Sequence, residues 1–223
     1  MALRIDIISD VVCPWCFIGK RNLDAALRMY RAQYPEAEAP VIRWLPFQLN
    51  PDLPVEGMPR REYTSQKFGG PDNAREIYAR VEAAGAHAGI AFEFGRIAVQ
   101  PNTLQAHRVV HFAARENRQG EVVESLFQGY FLEGCDLTRA ETLADLAARG
   151  GLHRESLLNY LRTDEDRDLI ARQDMHARQI GIQGVPFFIV AERLGVSGAQ
   201  PPGVLFEVME QAQSESAISA APQ

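Results

Sequence analysis

Cys13-Pro14-Trp15-Cys16 puts two thiols two residues apart. Such a pair can close a small disulfide. Its first sulfur can also attack another disulfide while the second waits to release the mixed intermediate. The competing chemistry for a C-x-x-C pair is half of a zinc site, which needs a second pair of ligands. The third cysteine, Cys135, has no partner at metal-finger spacing, so the residues favour redox chemistry. Leu3 to Ile8 reads as a short apolar strand, and from Pro14 onward the chain reads as a helix. Cys13 then sits at a helix N-terminus, where unpaired N–H groups and the helix dipole favour a thiolate. Pro14 suits the first helical position, where an N–H would have no partner.

The elements that must hold this pair are legible on both sides of it. Phe17, Ile18, Leu23, Leu27 and Tyr30 recur at helical spacing over Pro14 to Tyr34, and Val41 to Phe47 reads as a second strand. A βαβ crossover of this kind is parallel and right-handed. Pro51, Pro54, Gly57 and Pro59 break the pattern, and the chain to Arg162 reads as helical. Pro71 opens one helix, ending at Gly85, and Ala91 to Phe94 reads as a brief extended piece. Asn102 with Gln105, and Thr138 with Glu141, have the spacing of capping boxes. Between them Val122, Val123, Leu126, Phe127 and Tyr130 form an apolar face, and His153 to Leu161 supplies a short helix. Thr163 with Asp166 starts a helix toward Gly181. Strand character returns at Val185 to Val190 and Leu194 to Val196, and a last helix runs from Pro202 to Gln213. The order is βαβ, a helical block, then αββα. Residues 1–50 and 163–213 read as one discontinuous α/β domain, residues 51–162 as an all-α insertion, and 214–223 as a frayed tail.

Composition limits the partners. The 223 residues carry 23 basic against 29 acidic side chains, a formal charge of −6, with nothing basic enough to track a phosphate backbone. The apolar runs are too short to span a bilayer, so neither nucleic acid nor membrane is an expected partner. Arg4 and Asp6 interrupt what would be a signal peptide's apolar core, which makes a cytoplasmic setting the expectation. In a reducing compartment a C-x-x-C pair is more often catalytic than a permanent staple.

With these residues in view, the chain resembles the thioredoxin superfamily, and within it the DsbA-like branch with an inserted helical domain. It is most similar to the cytoplasmic FrnE-type oxidoreductases. The match is carried by Ser9-Asp10-Val11-Val12-Cys13-Pro14-Trp15-Cys16-Phe17-Ile18-Gly19-Lys20, by Pro101-Asn102-Thr103-Leu104-Gln105-Ala106-His107-Arg108, by Gly181-Ile182-Gln183-Gly184-Val185-Pro186-Phe187-Phe188, and by Ser197-Gly198-Ala199-Gln200-Pro201. The resemblance implies a thioredoxin-like α/β fold interrupted by an all-α insertion. It implies that Cys13 attacks and a buried Cys16 resolves, with Pro186 behind a cis Val185–Pro186 bond as the third catalytic position. An X-Pro bond is where a cis peptide costs little, and a proline opening a strand marks unusual geometry. Val185, Pro14, Trp15, Asn102 and His107 are then the expected substrate contacts.

Other residues carry two readings each. Lys20 adds positive potential near the thiols or is a solvated surface lysine. Asp10 accepts a proton or caps the helix. Asp6 is a candidate buried acid whose facing strand alternation leaves open. His107 and His111, four apart on a helix, have chelating spacing but lack a third ligand, which favours packing or hydrogen bonding. Cys135 reads as a small buried or half-buried residue.

The leading function is thiol–disulfide exchange on protein or small-molecule disulfides. It needs no metal or nucleotide, and glutathione or another thiol is the redox partner. A glutathione-dependent isomerase of the hydroxychromene carboxylate type is the alternative. Its relatives carry serine in place of the first cysteine, so Cys13 and Cys16 argue against it. A chaperone-like binding module is the third reading, and a homodimer through the helical block is the assembly its exposed faces would allow.

Overall fold

The computed structural model describes residues 2–219. β1 (Arg4–Ser9) turns through residues 10–13 into α1 (Pro14–Gln33), and β2 (Val41–Pro46) returns parallel to β1. Val41 and Phe47 donate their N–H groups inward, to Leu3 and Ser9. Trp44 and Pro46 therefore present their main chain to the outer edge, where a proline without an N–H costs nothing. Gln119 closes that edge. Its side-chain oxygen accepts the Trp44 N–H at 3.1 Å and its nitrogen donates to the Trp44 carbonyl at 3.2 Å, as a neighbouring strand would.

The insertion begins with β3 (Met58–Pro59) and α2 (Arg60–Phe68), followed by α3 (Pro71–His87), a single 3-10 turn at Phe94–Arg96, and β4 (Val99–Gln100). β3 and β4 form a two-residue antiparallel ladder. Ala91 to Phe94 is irregular where a short extended piece is expected, and its Phe92 and Phe94 rings stack at 4.9 Å. α4 (Leu104–Ala114), α5 (Gln119–Gln128), a π-helical turn (Gly129–Glu133), α6 (Ala140–Arg149) and α7 (Arg154–Leu161) complete the block. α8 (Arg167–Gln179) leads back to β5 (Phe187–Val190), β6 (Leu194–Ser197) and α9 (Pro202–Ser219).

The main sheet has the order β2-β1-β5-β6, with β5 antiparallel to both neighbours. Strand alternation sorts its two faces. Ile5, Ile7, Phe188 and Val190 join the large core containing Phe17 and Leu23 of α1 and Leu205 and Met209 of α9. Ile8 faces the other way, with Ala177 of α8, Ile182 and Phe47. α1 lies between this sheet and the insertion. Phe17, directly after Cys16, stacks on Phe127 at 5.1 Å and meets Phe92 edge-on at 6.1 Å. The same α/β architecture with a helical insertion is thus present, with the β3–β4 ladder added.

None of the expected capping boxes forms. Gln105 accepts from Arg108 instead of reaching back to the helix start. Thr138 turns its hydroxyl to Asp136, and α6 starts later, at Ala140. The helix expected from Thr163 and Asp166 does start there, directly after a left-handed Asp166, with Thr163 donating to the Tyr160 carbonyl at the end of α7. The terminal helix also outruns its predicted end at Gln213: residues 214–219 are helical rather than a frayed tail, and 220–223 lie outside the described residues.

Candidate active site

Cys13 is the N-cap of α1, extended at φ −93° and ψ 112°, with Pro14 entering the first turn. Its carbonyl receives the N–H groups of Cys16 at 3.0 Å and Phe17 at 3.3 Å. Both cysteines are free thiols, 4% and 1% exposed. The surface over them is made by Trp15, 41% exposed, beside a half-buried Pro14. The Cys13 thiol donates to the Val185 carbonyl at 3.5 Å, and the Val185–Pro186 bond is cis. Burial raises the Cys16 thiol well above the usual cysteine range. A hydrogen bond and charge repulsion from Cys13 add to this, and the Ser9 hydroxyl and the Asp10 backbone pull back in part.

Gly19 fixes how closely α1 approaches the proline loop. A Cβ there would lie 2.8 Å from Pro186 Cγ, closer than real contacts allow, and a tight 3.3 Å from Phe188 Cζ. The loop is held from its other side by the Gly198 N–H, which donates to the Pro186 carbonyl at 2.8 Å.

Asp10 is fully buried and does not cap α1 with its side chain. Its carbonyl accepts the Cys13 N–H at 3.0 Å, and its carboxylate accepts the Leu49 N–H at 2.7 Å and faces His107 Nε2 at 3.4 Å. His107 is 4% exposed and turns to this carboxylate, and its expected partner in spacing, His111, turns to Asp166 at 3.6 Å. The two histidines thus serve different carboxylates. Asn102 is committed to the chain around it. Its amide donates to the Pro51 and Leu53 carbonyls, and its oxygen accepts the Leu104 N–H. It therefore holds the loop whose Leu49 supports Asp10. That loop forms one wall of a 450 Å³ cleft with Met58, Tyr63 and Lys67.

Asp6 faces away from the thiols, on the α8 side of the sheet. Burial there would raise its carboxyl, but paired hydrogen bonds from Arg43 and Arg4 overcome this and leave it below the usual carboxylate range. Lys20 is buried rather than solvated. Its ammonium is paired with Asp24 and with Glu124 of α5, both at 3.0 Å, so it ties the insertion to α1. Cys135 is half-exposed, its thiol raised first by desolvation and then by Glu133.

Sequence reasoning assigned no role to Ser9, whose only signal is its place at the end of β1, directly before the turn into Cys13. It also passed over Arg108, a fully buried guanidinium. Arg108 donates to Gln105 and to the carbonyls of Tyr160, Thr163 and Glu165, and stacks on the Tyr160 ring at 4.7 Å.

Comparison with known proteins bears on the fold and the family. YwbO of Bacillus subtilis is 25% identical over 220 residues, covering 96% of this chain and 100% of its own length. The structure of a probable DsbA oxidoreductase from Streptomyces coelicolor is 27% identical, with a TM-score of 0.84 over 99% of this chain and 92% of that one. The cytosolic disulfide reductase DsbM of Pseudomonas aeruginosa, in complex with GSH, shares the fold at 15% identity and a TM-score of 0.56, covering 97% and 98% of the two chains. The DSBA-like thioredoxin domain matches residues 4–210, nearly the full length, and the chain belongs to that family.

Proposed function

We propose that the protein is a thiol–disulfide oxidoreductase of the FrnE type in which Cys13 is the nucleophile and Cys16 the resolving thiol. The observation that carries this is the asymmetry of the pair. Cys13 caps α1 beside the Val185 carbonyl and the exposed Trp15, and Cys16 is sealed one turn below it. Cys13 sulfur attacks a substrate disulfide, forming a mixed disulfide and releasing one substrate thiol. Cys16 sulfur then attacks Cys13, closing the internal disulfide and releasing the second substrate thiol. Run backwards, the same steps oxidise or isomerise a dithiol. Pro14, Trp15 and the Val185 carbonyl are the surface a bound substrate meets, and Pro186 sets the loop that carries Val185.

The substrate class is a disulfide-bearing protein or small molecule, with glutathione or another thiol restoring the starting state. The cytosolic DsbM structure with GSH supports that partner and a cytoplasmic setting. The two cysteines speak against the glutathione-dependent isomerase reading, which needs neither.

The test is trapping. Cys16→Ser incubated with a disulfide-bearing protein accumulates a mixed disulfide visible by mass on a non-reducing gel, and Cys13→Ser forms none and turns over nothing. Turnover surviving in Cys13→Ser would overturn the nucleophile assignment. Redox titration against glutathione, scored by alkylation, then gives the potential of the couple.

A further inference from the structure

We propose that Asn22 is a positioning residue for attack on peptide disulfides. From α1 it anchors the turn at residues 197–201, and that turn holds the Val185–Pro186 loop against Cys13. The inference rests on the oxidoreductase reading and adds to it the group that fixes how a peptide chain is received.

The turn folds on itself. Gly198 is left-handed at φ +82°, the Gln200 N–H donates to the Gly198 carbonyl at 2.9 Å, and the Gln200 side-chain amide donates to the Ser197 carbonyl at 2.9 Å. So bent, it bonds in two directions. The Ala199 and Gln200 carbonyls both accept from Asn22 Nδ2, at 3.4 and 2.9 Å. The Gly198 N–H donates to the Pro186 carbonyl at 2.8 Å. The left-handed backbone that allows this costs a glycine little.

These bonds close a circuit through α1. Cys13 heads that helix, and its thiol donates to the Val185 carbonyl at 3.5 Å. Gly19 and Asn22, at i and i+3, share one helix face. Gly19 lets the helix meet Pro186 directly, and Asn22 holds the same proline through the turn. The helix that carries the nucleophile therefore also sets where the loop facing it sits.

Val185 is the residue this circuit presents. Its N–H makes no hydrogen bond among the described residues. Its carbonyl is released once the Cys13 thiol has lost its proton. Both main-chain groups are then open to an extended peptide, which pairs with them only while the spacing of loop and sulfur is held. A small disulfide without a peptide chain makes no such demand. In the step concerned, the Cys13 thiolate bonds to the peptide sulfur and the other sulfur leaves as a thiolate; Asn22 moves no proton or electron in it.

The experiment compares two disulfides with one leaving group. Reduced full-length protein carrying Cys135→Ser is mixed rapidly with 5,5′-dithiobis(2-nitrobenzoate), or with a single-cysteine peptide whose thiol carries the same coloured group. The first coloured thiolate reports attack by Cys13 in both. Asn22→Ala is expected to slow attack on the peptide about 10-fold, the scale of one or two lost hydrogen bonds, and attack on the small disulfide less than about threefold. Asn22→Asp keeps the shape but sets a carboxylate against two carbonyls, and should slow the peptide reaction at least as much. An unchanged peptide rate in either variant overturns the proposal. So does equal slowing with both disulfides, which is what a residue that merely holds the fold produces. If neither variant folds, Gln200→Ala decides, because it loosens the turn without touching α1. There a peptide rate that falls more than the small-disulfide rate supports the clamp, and an unchanged ratio overturns it. A background protein that keeps the peptide as a permanent mixed disulfide, freeing no peptide thiol, refutes the oxidoreductase reading itself.

Discussion

Gly19→Ala is a single methyl group whose effect can be worked out from contacts on either side of it. In an exposed helix interior this change is favourable, by up to about 1 kcal/mol. Here the new Cβ would sit 2.8 Å from Pro186 Cγ and 3.3 Å from Phe188 Cζ. The proline ring is fixed to its own backbone, and Phe188 is fully buried, so neither neighbour can simply rotate aside. Overpacking of this kind costs about 1–3 kcal/mol. The clash exceeds the helix gain, and the net expectation is a loss of about 1–2 kcal/mol, or a melting point lower by about 2–8 °C for a chain of this size. Gly120→Ala is the matched control, because Gly120 lies in α5 and a Cβ there meets nothing within 4 Å. It should leave the melting point unchanged or raise it. Thermal unfolding of both variants beside the wild type reads the outcome. If Gly19→Ala melts at or above the wild type, the claimed contact between α1 and the proline loop is wrong.

Three further predictions concern the scaffold. Arg108→Met removes a buried guanidinium that donates to the Tyr160, Thr163 and Glu165 carbonyls and should cost about 1–3 kcal/mol in urea unfolding; a loss well under about 1 kcal/mol would mean water replaces the guanidinium. Asp6 has a folded-state pKa below its unfolded value, so its stabilisation is complete above the unfolded carboxylate pKa of about 3.9 and is lost as pH falls through the lower folded value. Asp6→Asn should therefore be less stable than wild type at neutral pH, with the gap closing in acid; a gap that persists unchanged in strong acid contradicts the ion-pair assignment. Gln119→Ala should cost about 1–2 kcal/mol in the same urea assay, since it strips both main-chain partners from Trp44.

What could be read in advance divides along physical lines. Apolar periodicity found β1, α1, β2 and the returning strands because each buries one apolar face, and the thiol pair announced its own place at the head of α1. α2 gave no such signal, since its buried residues are Arg60 and Tyr63, types that read as surface. Arg108 and Lys20 were opaque for the same reason: a charged residue on a helix reads as solvated until its partners, distant in sequence, are known. Capping spacing misled because a side chain within reach of a helix start can be claimed elsewhere, as Arg108 claims Gln105 and Asp136 claims Thr138. The pairing of Asp10 with His107 joins residues separated by the first half of the insertion, and no local pattern encodes it.

The amide of Gln119 has a consequence for assembly. A sheet with two free edges can stack strand to strand without limit, each copy offering one edge and receiving at the other. In this chain the β2 side offers a proline without a donor and a tryptophan whose main chain is already occupied. Growth at that end is closed, and β6 is the edge that remains. Two copies joining edge to edge through the main sheet can meet only β6 against β6, which uses up both of its free edges at once. The sheet can pair, but it cannot polymerise.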